Sequence, residues 1–356
     1  MRNQRCDKRM CNEMSNQVLI NDVSEFVEQF KLKDVLKDST FLITGATGLI
    51  GSILIRCLLA MNKNIRVIAP VRNVGKAQRM FGVVGNELQF LPYNIETYDY
   101  EDIQNVDYIV HCAAPTSSKF FVEHAVETFN TIYKGTSLLL EYARKHTVKS
   151  MVYLSSLEVY GSIYDDSKLV TENVQGDLDI MSVRSSYPMA KRAMETLCCL
   201  YEKEYGVPVK VARLTQTTGA GIAADDNRVI AQFARLAAEG KDIVLHTTGE
   251  AARPYCYTTD CISAILYVLI QGTSGEAYNV ANEETYISAR NMAEYLKDNF
   301  NPNISVRVEL NDTMGYAPVT KLRLSSAKLR ALGWTPKYGL KEIFSRIIYY
   351  YQTVKQ

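Results

Sequence analysis

A tyrosine and a lysine spaced four residues apart are the pair in this sequence best suited to acid–base chemistry. Tyr187 and Lys191 lie in the stretch YPMAK, and this spacing places two side chains on the same face of a helix. An ammonium beside a phenol favours the phenolate and lowers the pKa of a tyrosine from about 10 toward neutral pH. Tyr187 is therefore predicted to act as a general base with Lys191 beside it.

A serine and a glutamate precede this pair in the stretch SSLEVYG. Ser156 ends the apolar stretch SMVYLSS, where its hydroxyl can hydrogen-bond the substrate hydroxyl that Tyr187 would deprotonate. Ser156, Tyr187 and Lys191 together would remove that proton during oxidation of the substrate. Glu158 adds a carboxylate to the set, with a surface or helix-capping role as the alternative.

A glycine-rich turn offers a place for the cofactor. The apolar stretch FLIT is followed directly by TGATGLIG and then by an apolar segment. In a strand, turn and helix, the first glycine permits the tight turn, the second lets amides approach a pyrophosphate, and the third lets helix and strand pack closely. The helix N-terminus offers free N–H groups to the phosphates. The predicted contacts are Gly45, Thr47, Gly48, Leu49, Ile50 and Gly51.

The second predicted strand leaves the choice of cofactor open. IRVIAPVR ends in Arg72 and lacks the acidic residue that would hold the ribose 2′-hydroxyl of NAD. Arg72 could meet the 2′-phosphate of NADP, or it could be a solvated arginine at the end of a strand. The sequence predicts NAD or NADP without choosing between them.

Alternating strands and helices must position these residues. Six apolar stretches of strand character are separated by stretches with apolar residues at spacings of three and four, which is typical of a doubly wound parallel sheet. The predicted fold class is α/β, a Rossmann-type doubly wound parallel sheet with a smaller C-terminal substrate-binding lobe. The predicted strands are FLIT, IRVIAPV, LQFLPYN, VDYIVHCAA, SMVYLSS and VKVARL, and the predicted helices include 52–61, 122–146 and 188–205.

Composition argues against several classes of protein. The 40 basic and 39 acidic side chains nearly cancel, so no long-range field gathers nucleic acid or holds the chain on an anionic membrane. Eight cysteines without a CxxC pair and only four histidines predict no metal site. The polar first residues lack a secretory signal, and polar residues and glycines interrupt the apolar segment 41–61. A cytoplasmic enzyme with a small diffusible substrate is expected.

The motifs TGxxGxxG, SSxxVYG and YxxxK occur in this order along the chain. In this the sequence resembles the extended short-chain dehydrogenase/reductase superfamily, the nucleotide-sugar epimerases, dehydratases and decarboxylases, from about Ser39 to the C-terminus. The resemblance implies a nucleotide-sugar substrate and contact of Lys191 with the nicotinamide ribose. It also implies a homodimer formed through the helices 122–146 and 188–205, in agreement with the prevalence of two-fold oligomers.

Glu158 points to particular branches of this superfamily. Dehydratases and decarboxylases carry an acidic residue here that acts at carbon 5 of a sugar oxidised at carbon 4. Dehydratases normally place an aspartate just before it, whereas this chain has Leu157, which favours decarboxylation. The downstream stretch RPYCYTTD strengthens the resemblance to UDP-glucuronate decarboxylases. By that resemblance Arg253 would bind the diphosphate in a fork, and Arg228 would shape the nucleotide pocket.

Other site residues follow from the same resemblance or from their place after a strand. Asn94 and Ile95 resemble an adenine-contacting pair, and Gln216 stands where an asparagine is usual, so sugar recognition could differ. The loop after the fourth strand is well placed to contact nicotinamide and substrate, with simple loop chemistry as the alternative. The residues predicted there are Ala113, Ala114 and Pro115 for the cofactor and Ser117 and Ser118 for the substrate.

Three functions remain open. The first is a decarboxylase-like or dehydratase-like enzyme that uses Glu158 at carbon 5. The second is an epimerase or an NADPH-dependent reductase of surface polysaccharide synthesis, which Arg72 and Gln216 would favour. The third, a cofactor-binding protein without catalysis, has no need of Ser156, Tyr187 and Lys191 together.

Breaks in the alternation predict the domain organisation. Residues 1–38 are expected to form an arm and a helix. Residues 39–218 would form mainly the NAD(P)-binding Rossmann domain, and residues 219–356 mainly the nucleotide-sugar-binding lobe. Some of the later chain is expected to cross back to the Rossmann domain.

Overall fold

A computed structural model describes residues 17–82, 85–94, 98, 100–311 and 319–354. The predicted arm falls largely outside this range, and the first helix, α1, spans 17–29. The further helices are α2 Leu49–Ala60, α3 Val74–Phe81, α4 Ser118–Glu123, α5 Ala125–Lys145, α6 Ser186–Tyr205, α7 Val229–Glu239, α8 Thr258–Gln271, α9 Ala289–Asn299, α10 Ala327–Arg330 and α11 Leu340–Val354.

Strands within the described residues form three sheets. The largest has seven parallel strands in the order β10-β6-β5-β4-β1-β2-β3, which confirms the predicted Rossmann-type fold. The order reverses between β1 and β4, the point where such sheets bind ligands beyond their carboxyl ends. The bounds are β1 Thr40–Thr44, β2 Arg66–Val71, β3 Leu88–Pro92, β4 Tyr108–His111, β5 Ser150–Ser156, β6 Val209–Leu214, β7 Gln216–Thr218, β8 Ile243–Leu245, β9 Ala252–Tyr257, β10 Ala277–Val280, β11 Asn282–Ser288 and β12 Val306–Val308.

Helices cover both faces of the large sheet because its strands are apolar on both sides. Buried side chains of α2 and α8 pack on one face, and those of α5 and α6 pack on the other. The predicted strands SMVYLSS and VKVARL are confirmed to the residue. The stretch VDYIVHCAA forms a shorter strand than predicted, which leaves Ala113 and Ala114 in the loop beyond it.

The predicted helix 122–146 was wrong in one respect. The structure has two helices here, and His124 between them takes a non-helical conformation with φ −131° and ψ 51°. The amide of His124 closes α4 on Phe120, while α5 begins at Ala125. Apolar spacing alone did not reveal the break, because both helices present apolar residues to the same sheet face.

The chain beyond β6 builds smaller sheets around a separate apolar cluster. Strands β11, β9 and β7 form one sheet and β12 pairs with β8. Side chains of α7, α9 and α11 form much of the cluster beside them. Strand β10 pairs with β6 in the large sheet, so the later chain contributes to both regions.

No helix among the described residues combines the length and apolar character needed to cross a bilayer.

A charged network fastens α1 to the end of the chain. The Arg346 guanidinium on α11 pairs with Asp22 and, at 3.0 Å, with Glu25. The Tyr257 hydroxyl donates to Asp22 over 2.6 Å. Asp22 is only 3% exposed, so its charge depends on these partners.

Arg346→Met is expected to lower the free energy of unfolding by about 3–5 kcal/mol, because it leaves Asp22 buried without its cation. Arg307→Met is the control, since Arg307 forms an exposed pair with Asp242 and its loss should cost at most about 1 kcal/mol. Urea unfolding of both variants measures the difference. Equal losses would contradict the role given to Arg346.

Candidate active site

The glycine turn lies against the neighbouring strand end. Gly45 has φ +71°, and a Cβ there would come within 2.8 Å of the Ala113 amide nitrogen. A Cβ on Gly51 would come within 2.3 Å of the Gly45 carbonyl oxygen. The turn lies so close to the end of β4, and α2 lies so close to the turn, that neither position has room for a side chain.

The start of α2 has the character of an anion site. Gly48 is its N-cap, and no side chain accepts a hydrogen bond from its first amides. Gly48 is exposed, and Thr47, Leu49 and Ile50 are partly exposed, so this helix end is open to a ligand. Open amides and a glycine cradle fit the pyrophosphate of a dinucleotide.

A buried threonine and histidine join the ends of β1 and β4. The Thr44 hydroxyl lies 2.6 Å from His111 Nδ1 and accepts a hydrogen bond from the Ala113 amide at 3.2 Å. Burial, aided by the charge of Lys191, lowers the pKa of His111 to about 3. His111 is therefore neutral at physiological pH and fixes the two strand ends without adding charge.

Lys191 is buried where α6 crosses the end of β5. Its Nζ donates to the Leu154 carbonyl oxygen at 2.7 Å and lies 4.6 Å from the ring centre of Tyr153. The same nitrogen is 5.8 Å from the ring centre of Tyr187. Burial lowers the pKa of Lys191 to about 7, although the Glu195 carboxylate acts in the opposite direction.

Tyr187 lies in the same buried layer, and its ring stacks on Phe121 with centroids 4.3 Å apart. Burial raises the pKa of Tyr187, the Glu158 carboxylate raises it further, and a hydrogen bond with Ser156 partly offsets the rise. The expectation that Lys191 lowers the pKa of Tyr187 was thus wrong for the ligand-free chain. The reason is that burial dominates, and the ammonium is bonded to a strand carbonyl.

Glu158 completes the group and has a partner that the sequence did not predict. It lies in a 3-10 turn, Leu157–Tyr160, whose N-cap Ser156 accepts a hydrogen bond from the Glu158 amide at 3.2 Å. The Glu158 carboxylate pairs with Arg184 Nη1 at 3.0 Å. The structure therefore brings Ser156, Glu158, Tyr187 and Lys191 together, as the motifs suggested.

Two predicted substrate residues, Gln216 and Arg253, lie on the three-stranded sheet. Gln216 on β7 is in register with Tyr255 on β9, two residues beyond Arg253, so all three share one face. The Gln216 side-chain oxygen is buried without a hydrogen-bond partner among the described residues. Arg228 forms an ion pair with Asp226 at 2.8 Å and donates to the Thr217 carbonyl at 2.8 Å. Its role in shaping the nucleotide pocket stays a prediction.

The remaining predicted residues lie around the edge of the large sheet. Arg72 follows β2, Asn94 follows β3, and both are exposed. Ile95 lies outside the described residues. In the loop after β4, Ala113, Ala114 and Pro115 are partly buried, whereas Ser117 and Ser118 at the start of α4 are exposed.

Two contributors escaped the sequence analysis. Arg184 and Phe121 belong to no recognised motif, and they meet Glu158 and Tyr187 through folding alone. The position of Arg184, three residues before Tyr187, was the available signal. Within the described residues, no three metal-ligating side chains come together, and each cysteine there is a free thiol.

Comparison with known proteins identifies relatives over most of the chain. UDP-glucuronic acid decarboxylase 3 of Arabidopsis thaliana is 29% identical over 303 residues, which cover 85% of each chain. UDP-glucuronic acid decarboxylase 1 of Xenopus tropicalis is 26% identical over 315 residues, covering 87% of this chain and 72% of that protein.

Solved structures share the fold. A dTDP-glucose 4,6-dehydratase from Streptomyces venezuelae, solved with NAD, has a TM-score of 0.74 and 25% identity, and the match covers 88% of this chain and 97% of that chain. A UDP-glucuronic acid 4-epimerase from Bacillus cereus, solved with UDP-glucuronic acid and NAD, has a TM-score of 0.74 and 20% identity, with 88% and 99% covered.

The NAD dependent epimerase/dehydratase family matches the chain over residues 41–281. This stretch contains the glycine turn, the Ser156, Tyr187 and Lys191 set, and the strand of Arg253. The resemblance inferred from the motifs is confirmed. The chain is an enzyme and belongs to the NAD dependent epimerase/dehydratase family.

Proposed function

We propose that the enzyme oxidises carbon 4 of a nucleotide-linked sugar that carries a carboxylate at carbon 5, and that carbon dioxide then leaves. The observation that carries this proposal is that Glu158 is preceded by Leu157, an apolar side chain that is buried and only 4% exposed. A carboxylate is present for chemistry at carbon 5, but the acid that would protonate a departing hydroxyl is missing. The relatives named as UDP-glucuronic acid decarboxylases support the same substrate class.

The chain's own residues have distinct parts in this reaction. Bound NAD supplies a hydride acceptor for carbon 4. Tyr187 accepts the proton of the carbon 4 hydroxyl while Ser156 hydrogen-bonds its oxygen. The bond between carbon 5 and the carboxylate then breaks, and its electron pair moves toward the carbon 4 carbonyl. The charge of the Glu158 carboxylate acts on Tyr187, and from this place it would govern the proton that returns to carbon 5. Carbon 4 would then take its hydride back while Tyr187 returns the proton to the carbon 4 oxygen, so that no cofactor is consumed.

The protonation of Tyr187 and Lys191 follows from their burial. The pKa of Tyr187 is raised, so its phenol is neutral at physiological pH, and Lys191, with a pKa of about 7, is only partly protonated there. Desolvation disfavours both charged forms. A neutral phenol cannot accept a proton, so Tyr187 can act as a base only after groups of the bound ligands have lowered its pKa.

The cofactor we propose is NAD. The glycine cradle and the open start of α2 fit a dinucleotide, and the structural relatives above were solved with NAD. Arg72 at the end of β2 keeps NADP as the alternative, which separate titrations with the two nucleotides would decide.

A dehydratase or epimerase is the second candidate, because solved relatives of the same fold carry those names. It would retain Ser156, Tyr187 and Lys191 and use the same cofactor. The buried Leu157 argues against the dehydratase, and Glu158 is not needed by the epimerase.

We also propose that the enzyme is a homodimer with a two-fold interface. The outer face of α5 carries Val126, Phe129 and Tyr133, all exposed, at spacings that form one apolar stripe. Helix α6 packs beside α5 and adds the exposed Leu200. A second copy would cover this stripe.

Incubation with UDP-glucuronate and NAD is expected to yield a sugar nucleotide lighter by carbon dioxide without net cofactor consumption, as followed by mass and nicotinamide absorbance. Tyr187→Phe should lower kcat by a factor of about 100 or more, because it removes the group that transfers the proton. UDP-glucose is the matched substrate without the carboxylate. Loss of water would replace the proposal with the dehydratase, and an isomer of unchanged mass would replace it with the epimerase. Stoichiometric NADPH consumption, in a parallel incubation with NADPH in place of NAD, would replace it with the reductase.

Gly51→Ala is expected to weaken NAD binding by a factor of about 10 or more and to lower stability by about 1–3 kcal/mol, because the added methyl forces the turn from α2. Gly75→Ala is the matched helical control, since a Cβ there meets its neighbours only at 3.5 Å. Fluorescence titration with NAD compares them. Unchanged NAD affinity in Gly51→Ala would remove the turn from the cofactor site.

The free energy of unfolding of nucleotide-free protein should rise between pH 7 and 9, and Lys191→Met should reduce this rise by up to about 2 kcal/mol. The pKa of Lys191 falls from its ordinary 10.5 to about 7 on folding. The unfolded chain therefore binds more protons within that window, so raising the pH favours the folded state. Lys203→Met, an exposed lysine, is the control, and an unchanged slope in Lys191→Met would contradict the buried ammonium.

A further inference from the structure

Arg184 lies one aromatic ring away from Tyr187. Its guanidinium carbon is 5.3 Å from the ring centre of Phe121, and that ring stacks on Tyr187 with an interplanar angle of 6°. Phe121 thus contacts both the Arg184 guanidinium and the Tyr187 ring.

The turn that carries Arg184 is anchored on both sides. The Ser182 hydroxyl accepts a hydrogen bond from the Arg184 amide, and the Ser185 hydroxyl donates to the Asp179 carbonyl at 2.6 Å. The next residue, Ser186, donates to the Phe121 carbonyl at 2.9 Å. The backbone is therefore fixed relative to α4 and α6, while the side chain points to Glu158.

Arg184 keeps N–H donors available, whereas the neighbouring arginines use theirs in hydrogen bonds within the protein. Arg192 is bound to the carbonyls of Val159 and Gly176, and Arg213 is bound to Glu195. Among the residues that the structure describes, Arg184 has one ion pair, through Nη1, and 32% of its side chain is exposed. A guanidinium has five N–H donors in a planar fork, so this pair leaves donors free for a second carboxylate.

The ion pair with Glu158 is a weak competitor for an incoming anion. Both side chains are about a third exposed, and exposed pairs of this kind contribute about 0–1 kcal/mol. A substrate carboxylate that excludes water from the site would bind the same guanidinium more strongly. A neutral hydroxymethyl group in its place would leave the pair with Glu158 intact.

We propose that Arg184 determines specificity for an acidic sugar by binding the carboxylate at carbon 5 in exchange for Glu158. This inference rests on the proposed function and adds the residue that recognises the carboxylate. It also gives Glu158 two roles: the carboxylate holds Arg184 in place in the free enzyme, and it is released next to carbon 5 when the substrate binds.

The test compares binding of UDP-glucuronate and UDP-glucose by calorimetry, with the NAD-loaded full chain in a Tyr187→Phe background that prevents turnover. Arg184→Gln is expected to weaken UDP-glucuronate binding by a factor of about 10–100, because a charge-assisted hydrogen bond is lost. UDP-glucose binding should change by a factor of less than about 3. Arg184→Lys should give an intermediate affinity for UDP-glucuronate, and the exposed Arg307→Gln is the control.

Glu158→Gln supplies a measurement with the opposite sign. Removal of this carboxylate frees Arg184 and removes a like charge, so UDP-glucuronate should bind more tightly, by a factor of about 3 or more. Weaker binding of UDP-glucuronate to Glu158→Gln would contradict the exchange.

The results separate the two proposals. If the background protein prefers UDP-glucuronate and Arg184→Gln keeps the same ratio of affinities, the role of Arg184 is overturned and the proposed function stands. If the background protein binds both sugars equally and the wild type releases no carbon dioxide, both are overturned. Should Arg184→Gln bind neither ligand, the ratio for Arg184→Lys decides: a reduced preference for UDP-glucuronate supports the role and an unchanged one overturns it.

Discussion

A single buried ammonium fixes the geometry of the site. Lys191 donates to the Leu154 carbonyl at 2.7 Å, which joins α6 directly to the end of β5. Ser156 lies two residues further along the strand, and Tyr187 lies one turn earlier on the helix. This contact and the apolar packing of α6 on the sheet hold Ser156 and Tyr187 near each other, because a helix and a strand in fixed relation leave little freedom to the residues beside the contact.

The same burial determines how charge is distributed around the sugar. Lys191, His111 and Tyr187 lie in a region where desolvation disfavours their ionised forms. The charged groups, Glu158 and Arg184, lie further out, where both are about a third exposed. Burial thus lowers the charge of the inner groups, whereas Glu158 and Arg184 keep theirs nearer the solvent, where they can interact with a charged group of the ligand.

The fold could be predicted from the sequence because its physical causes are local. Alternating apolar stretches gave the strands of the large sheet, and the turn from Thr44 to Gly51 could be assigned from glycine spacing. The break at His124 could not, because an apolar face continues across it.

The site was predictable as far as its motifs extend. The structure brings together four residues of the motifs, Ser156, Glu158, Tyr187 and Lys191. Arg184 belongs to no motif, and it is placed beside Glu158 by the short turn Val183–Ser185. The direction of the pKa shift of Tyr187 also required the structure. Spacing shows which residues are neighbours, but it does not show how much water surrounds them.

The network around α1 has a consequence for the order of folding. Asp22 and its partner Arg346 are separated by 324 positions, so α1 is synthesised long before the helix that it binds. On the ribosome the Asp22 carboxylate stays hydrated until α11 has emerged. Docking of α1 is therefore a late event, because it requires that α11 has already packed in its native position.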